Sequence, residues 1–339
     1  MRYIFSKKTL LFFTNFLLAL LLLVSCIASF FPVRIFPLLA FLSLVVPFLV
    51  VGNIIFLVYW LLKWNKRVFV PLLSLVISYI AFGPLLRLEN HTQPISDKED
   101  ELTVMTFNTG MFWDDIEAYK NGESNPLLSF LSKRSPDILC LQESSRYRHN
   151  ILKQYPYKYV TPKSSTKSLQ GIFSKYPIVT GGSLEFSETA NNAIYADIVY
   201  KNDTIRIYNL HLQSFQIRPG RIKRSKNPFR FYNRMETTFL KQEKQSITFN
   251  KHFKSCPYQK IVCADLNNTP FSYAYRLVKD DLIDTFDEKG SGFGMTYDIN
   301  ILPFRIDFIF VDKEMSVKSY ENFKIKLSDH EPVMSSVQF

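Results

Sequence analysis

Cysteine, histidine and glycine are scarce in this chain of 339 residues, at four, five and eleven. Four cysteines with no repeated spacing exclude a disulfide framework, and the lack of a Cys/His cluster at zinc spacing excludes a structural zinc site. Cys140 and Cys263 fall inside apolar strand-like runs and read as small core residues, while Cys256 has no evident partner. This argues mildly against an oxidising compartment. The glycine-rich stretch GSGFGMTY lacks the Gly-Lys-Ser/Thr ending and the following helix of a phosphate loop, so it reads as a loop bordering a site. No short-period repeat or low-complexity tract occurs, which excludes a solenoid.

Charge is missing in three places. Leu10 to Phe31, Ile35 to Leu62 and Val68 to Leu86 contain no Asp, Glu, Lys or Arg. Each reaches the roughly 20 apolar residues that cross a bilayer, so three transmembrane helices are expected over 10–31, 35–62 and 68–86. The competing readings are a buried helical bundle and, for the first segment, a cleaved signal peptide whose Leu23-Val24-Ser25-Cys26 resembles a lipobox. Against processing, the apolar run continues past Cys26 and two more follow. Arg2, Lys7 and Lys8 precede the first segment and Lys63, Lys66 and Arg67 follow the second, whereas only Arg34 lies between first and second. The positive-inside rule puts the basic loops in the cytoplasm. Three spans then deliver the remainder outside it, to the periplasm in a bacterium with two membranes.

The net charge of +11 is uneven. Residues 1–100 hold nine basic and four acidic side chains, and Arg218 to Arg234 supplies seven basic groups and no acid. The positive field is therefore local, suited to a phosphate or an anionic surface. The domain organisation expected is a membrane region over 1–88, a polar linker over 89–101 and one domain over 102–339. In that domain strand-like runs alternate with helical ones and with a hairpin turning at Asn202 and Asp203, which indicates an α/β (α+β) fold with mixed sheets. A helix is expected over Glu236–Phe253, and the basic run before it reads more readily as a solvated loop than as a binding element.

What is present is a recurring strand ending. LTVMTFN stops at Asn108, DILCLQE at Glu143 and IVCADLNNTP at Asp265 and Asn267. IRIYNLHLQS carries Asn209 and His211, RIDFIFV sets Asp307 in an apolar run, and SDHEPV offers Asp329 and His330. Singly, each is an ordinary turn, cap or ion-pair residue, Asp307 with Arg305 for example. Together they are a set of ionisable groups in buried strands, which chains carry when the groups pair or hold a metal. His91, His149 and His252 lack such a setting and read as exposed. The donors are mostly oxygen, which suits magnesium, manganese or calcium better than zinc.

In this order the motifs TFN, LQE, NLHLQS, ADLNNTP, RIDFIF and SDHEPV resemble the endonuclease/exonuclease/phosphatase superfamily, with its deoxyribonuclease I-like fold, over Leu102 to Phe339. The resemblance implies a four-layer sandwich, two packed mixed β-sheets flanked by helices, here preceded by three transmembrane helices. It further implies that Glu143 ligates magnesium, or manganese or calcium, with Asn108, and that Asp329 completes the metal environment. Asp265 would orient or deprotonate the water with support from Asn267. His330, partnered by Asp307, would stabilise the transition state, and His211 would contact the scissile phosphate. Ala264 stands where many relatives carry glycine.

The reading is a membrane-anchored phosphate-ester hydrolase, most readily a nuclease-like phosphodiesterase, with Asn209, Arg218, Arg221 and Arg224 as substrate-binding candidates. A nucleic acid gripped by the basic and aromatic run fits, and so does a lipid headgroup: a phospholipid or sphingomyelin phosphodiesterase. An inositol-phosphate phosphatase and a catalytically silent phosphate-binding domain are compatible with the same residues. No protein partner is inferable.

Overall fold

The computed structural model describes residues 7–88, 100–110, 126–146, 152–216, 228–298 and 303–339. Most of the expected linker, His91, His149, Arg218, Arg221 and Arg224 lie outside these residues. The chain divides into two compact units: Met1–Leu86 with Asn268–Arg276, and Arg87–Asn267 with Leu277–Phe339.

The first unit is helical: α1 (Lys7–Ala28), α2 (Pro37–Ala40), α3 (Leu42–Leu62), a 3-10 turn (Lys66–Val68) and α4 (Phe69–Phe82). Leu- and Phe-rich sequence favours helix, and the breaks have local causes. Pro37 opens α2, where a missing N–H costs nothing, and Gly83 at φ +76° followed by Pro84 stops α4. Two helices, Lys8–Ala28 and Leu42–Leu62, are long and apolar enough to cross a membrane, by length and composition. Three were expected. The third candidate folds into the 14 residues of α4, about 21 Å of helix against a hydrocarbon core of about 30 Å.

Buried polar pairs join the helices. Trp60 Nε1 donates to Asn15 Oδ1 at 3.0 Å and Ser74 Oγ to Asn53 Oδ1 at 3.1 Å, tying α3 to α1 and α4 to α3 by buried hydrogen bonds. At the end carrying the basic residues, Arg67 lies over Phe12 and Trp60 and donates to the Lys8 carbonyl.

The second unit packs two six-stranded mixed sheets face to face. The first has the order β13 (Ser316–Asn322), β14 (Val333–Gln338), β1 (Leu102–Asn108), β2 (Ile138–Gln142), β4 (Gly171–Ser174), β3 (Tyr157–Val160). The second runs β5 (Ile178–Ser183), β6 (Ala193–Tyr200), β7 (Asp203–His211), β8 (Gln259–Asp265), β12 (Asp307–Val311), β9 (Ile283–Asp284). Two-residue strands β10 (Tyr297–Asp298) and β11 (Pro303–Phe304) form a separate pair. Only β1–β2 and β7–β8 are parallel among the described strands, and the polypeptide between each pair includes a helix, as parallel neighbours require.

Side chains alternate across each strand. Leu102, Val104, Ile138, Cys140, Ile205, Ile207, Ile261, Cys263, Ile309 and Val311 fill the space between the sheets. Met105, Phe107, Leu139 and Leu141 face outward, beneath Leu127 and Leu131 of α5 (Pro126–Arg134). On the other side Tyr208 meets Phe249 and Phe253 of α6 (Pro228–Lys254).

Three local expectations are corrected. The helix expected from Glu236 begins at Pro228, so Arg230 and Arg234 of the basic run are helical. The hairpin turns at Lys201 and Asn202, because Tyr200 pairs with Asp203; Lys201 takes φ 54°. His252 is half-buried, with Nδ1 3.0 Å from the Tyr208 hydroxyl and its ring on Tyr195. All four cysteines are free.

Candidate active site

The inward-facing rows of five strands change from apolar to polar at the same end. Leu102, Val104 and Thr106 lead to Asn108, and Ile138 and Cys140 to Gln142, which Glu143 follows. Ile205 and Ile207 lead to Asn209 and His211, Ile261 and Cys263 to Asp265, and Val311 and Ile309 back to Asp307. The register finishes the assembly. His211 on β7 and Asp307 on β12 are the direct neighbours of Asp265 on the central strand β8, a distance at which opposed side chains touch.

Asp265 is fully buried and held from several directions. The Asn108 side-chain amide donates to Oδ2 at 2.8 Å, and the Asn267 backbone N–H donates to Oδ1 at 2.8 Å. His211 Nε2 stands 3.5 Å from Oδ2 and His330 Nε2 4.0 Å from it. His330 Nδ1 is bound to Asp307 at 2.9 Å. Thr296 Oγ1 accepts from the Ile306 and Asp307 N–H groups, fixing the start of β12.

Glu143 differs from these buried groups, since its side chain is 31% exposed while Oε1 lies 3.6 Å from His211 Nε2. It has φ 45°, and Asn267 at the end of β8 has φ 48°. Left-handed backbone in non-glycine residues is strained and clusters where side chains are re-aimed at functional sites. Thr109 Oγ1 holds the Glu143 turn by donating toward the Gln142 and Glu143 carbonyls. Opposite it, Gly110 adopts φ +53°, and a Cβ there would come within 3.3 Å of both Ser328 Oγ and Asp329 Oδ1. Asp329 is exposed beside Gly110 rather than in the buried group.

The electrostatics follow from burial and proximity. Burial, then the neighbouring Asp307 charge, raises the Asp265 carboxyl above its ordinary range, opposed by His330, His211 and Asn108. Burial works against a charge on His330, but Asp307 and Asp265 outweigh it and push this imidazole up to about 10. It is therefore an imidazolium at neutral pH. Burial pushes the Tyr297 phenol, whose ring lies 4.7 Å from His330, up to about 12.

The Asp265 and Asp307 carboxylates and the His330 ring lie within 4.8 Å of one another, and because a protonated imidazole has no free lone pair the ligand atoms here are carboxylate oxygens. Three carboxylates, counting Glu143, face one imidazolium, and neither nitrogen of the buried His211 has a hydrogen-bond partner among the described residues. That excess of negative oxygen donors, with Glu143 on the open side, fits a hard divalent cation.

Most of the predicted residues thus converge. Asn209 does not: it is fully buried, giving its amide hydrogens to the Leu141 and Gly171 carbonyls and receiving Gln142 Nε2, and so braces one sheet against the other. The Asn267 amide donates to the Leu212 carbonyl, so its support of Asp265 comes from the backbone. Asp307 binds His330, while Arg305 pairs with Asp284 at 2.7 Å. Thr109, Thr296 and Tyr297 carry no local signal. The one available cue was that the glycine-rich loop ends in Thr296-Tyr297.

Comparison with known proteins bears on the family and the fold. Residues 105–330 match the endonuclease/exonuclease/phosphatase family, and residues 7–85 match a domain of unknown function. No curated protein matches the chain. Among solved structures, an endonuclease/exonuclease/phosphatase from Bacteroides vulgatus has TM-score 0.53 and 16% identity, covering 70% of this chain and 99% of its own. The human Nocturnin catalytic domain with bound sulfate gives 0.52 and 16%, over 75% and 99%. D. rerio TDP2 complexed with a single-strand DNA product gives 0.51 and 14%, over 70% and 99%. At such identities these structures speak for the fold.

Proposed function

Because the chain belongs to the endonuclease/exonuclease/phosphatase family, whose members hydrolyse phosphate esters, we propose that it is a membrane-anchored phosphodiesterase acting outside the cytoplasm with a divalent cation. The observation that carries this is the enclosure of Asp265 by Asn108, Asn267, His211 and the His330–Asp307 pair. Glu143, with Asn108 and Asp329, would hold magnesium, for which manganese or calcium would substitute. When bound, that ion neutralises charge on a phosphoryl oxygen.

The side chains supply the rest. Asp265, its two oxygens fixed by different donors, orients a water and takes its proton. The His330 imidazolium, oriented by Asp307, donates to the oxygen on which charge develops. His211, with hydrogen-bonding capacity to spare, donates to the phosphate. Arg218, Arg221 and Arg224 follow β7 in sequence and remain candidates for gripping the substrate.

The helical unit supports the location. α4 is short, but it returns to the end opposite Lys8 and Arg67: one guanidinium, Arg276, holds both the Ala81 carbonyl in its last turn and Ser29 just past α1. With the basic end cytoplasmic, the chain leaves the bundle on the other side.

The test is hydrolysis of bis(p-nitrophenyl) phosphate by the purified full chain with magnesium or manganese. Chelation should abolish it, and Asp265→Asn should lower kcat by roughly 10²–10⁴-fold without lowering Tm. A wild-type chain inert with either metal would overturn the proposal.

A further inference from the structure

We infer that the ester presented to Asp265 is carried by a membrane lipid, as the phosphodiester of a glycerophospholipid in the headgroup layer. The inference rests on the phosphodiesterase reading above and narrows it to a substrate class. Its first support is the composition of the helical unit, which contains Asn268–Arg276 from far along the chain. Thr269 Oγ1 donates to the Ser43 carbonyl at 2.8 Å, and Phe271 meets Phe82 edge-on at 5.1 Å. Arg276 lies 3.5 Å over the Phe30 ring while donating to Ser29 Oγ at 3.0 Å and the Ala81 carbonyl at 2.9 Å. Every one of these helical partners is at or just past a helix end, on the side away from Lys8 and Arg67. Mixed aromatic, guanidinium and hydroxyl contacts at apolar helix ends are the chemistry of the headgroup layer. Asn268 follows Asp265 by three residues, at most about 11 Å of extended chain.

The second support is where the chain leaves the bundle. Arg87, the first residue after Leu86, exchanges backbone hydrogen bonds with Gly292 at 3.0 and 2.8 Å. Beside this bridge, Leu88 is 85% exposed and Phe293 53% exposed. Exposed apolar side chains on a segment continuous with apolar helices insert into a bilayer interface. Four residues beyond Phe293, Tyr297 packs on His330. Along the chain, Asp265 is thus three residues from a segment of the helical unit, and Tyr297, which packs on His330, is four residues from the exposed Phe293. The guanidiniums at these crossings are already engaged, Arg87 with Asp287 at 3.1 Å and Arg276 as above, so neither is set out to track a polynucleotide backbone.

In the reaction one P–O ester bond is exchanged for a P–O bond to the water oxygen. The two hydrogens of water end on the phosphomonoester and on the released alcohol.

The experiment uses the full chain reconstituted with magnesium into vesicles of phosphatidylethanolamine and phosphatidylglycerol, with phosphomonoester followed by phosphorus NMR. A single-stranded DNA oligonucleotide and bis(p-nitrophenyl) phosphate are the comparison substrates. Lipid phosphomonoester should form faster, per phosphodiester, than DNA is cut, and Asp265→Asn should stop both. Phe293→Ser should lower the ratio of lipid to soluble-diester turnover by roughly tenfold, the value of burying one large apolar side chain. Intact lipid alongside hydrolysed bis(p-nitrophenyl) phosphate, or DNA cut faster than lipid, would overturn the inference and leave the phosphodiesterase reading standing. If none of the three substrates is hydrolysed, both fall.

Discussion

Asn209 and His252 show how far a side chain's neighbours decide its role. Asn209 sits two residues from His211 on the same face of β7, yet it is wholly occupied with carbonyls of the opposite sheet. Asn209→Ala would strand the Leu141 and Gly171 carbonyls and the Gln142 amide. It should cost about 2–4 kcal/mol in urea unfolding and leave KM little changed. A raised KM at unchanged stability would instead make Asn209 a substrate contact. His252 is held below its ordinary value near 6.5 by burial and then by Arg206. The folded state therefore binds its proton less readily than the unfolded chain. Stability from this group is intact above pH 6.5 and declines as pH falls through the lowered folded value. His252→Gln should flatten that acid limb in a Tm-versus-pH series, and an unaltered limb would show that other groups set it.

At the scale of elements, the site exists because strand periodicity carries each inner apolar row onto a polar end. β8 is the most exposed to error, since Asp265 is useful only on the face it shares with Ile261 and Cys263. Inserting one alanine between Cys263 and Ala264 would turn Asp265 to the outer face. Diester hydrolysis should vanish while the protein still accumulates at the wild-type level; retained activity would mean that β8 slips its register to compensate. This periodicity is also why mixed sheets and the strand residues Asp265, Asp307 and His211 were legible in the sequence, each a polar residue interrupting a local apolar run, whereas the packing of two sheets and the role of His330 were implied by the family resemblance. The Thr296 bridge to Asp307, Tyr297 against His330 and the capture of Asn209 by Gln142 were not legible, because they join residues between 11 and 67 positions apart with no local pattern. α4 is shorter than the expected span over 68–86 for a different reason. Apolar composition runs on to Leu86, but Gly83 ends the helix.

For the whole molecule, the boundary between the helical and catalytic parts is not a single point in the chain. Asn268–Arg276 belongs with the helices. Removing residues 1–86 would leave Arg276 without Ser29, Ala81 and Phe30, and Phe271 without Phe82. The truncated protein should therefore aggregate, or hydrolyse bis(p-nitrophenyl) phosphate more slowly than the full chain in detergent. A soluble fragment with full activity would show that the helices serve as a tether alone. The same arrangement bears on transfer between proteins. The nine residues that complete the helical unit lie more than 180 positions downstream of Leu86. A graft of the helices onto another member of the family would carry only half of the adaptation, so the two parts are expected to be inherited and lost together.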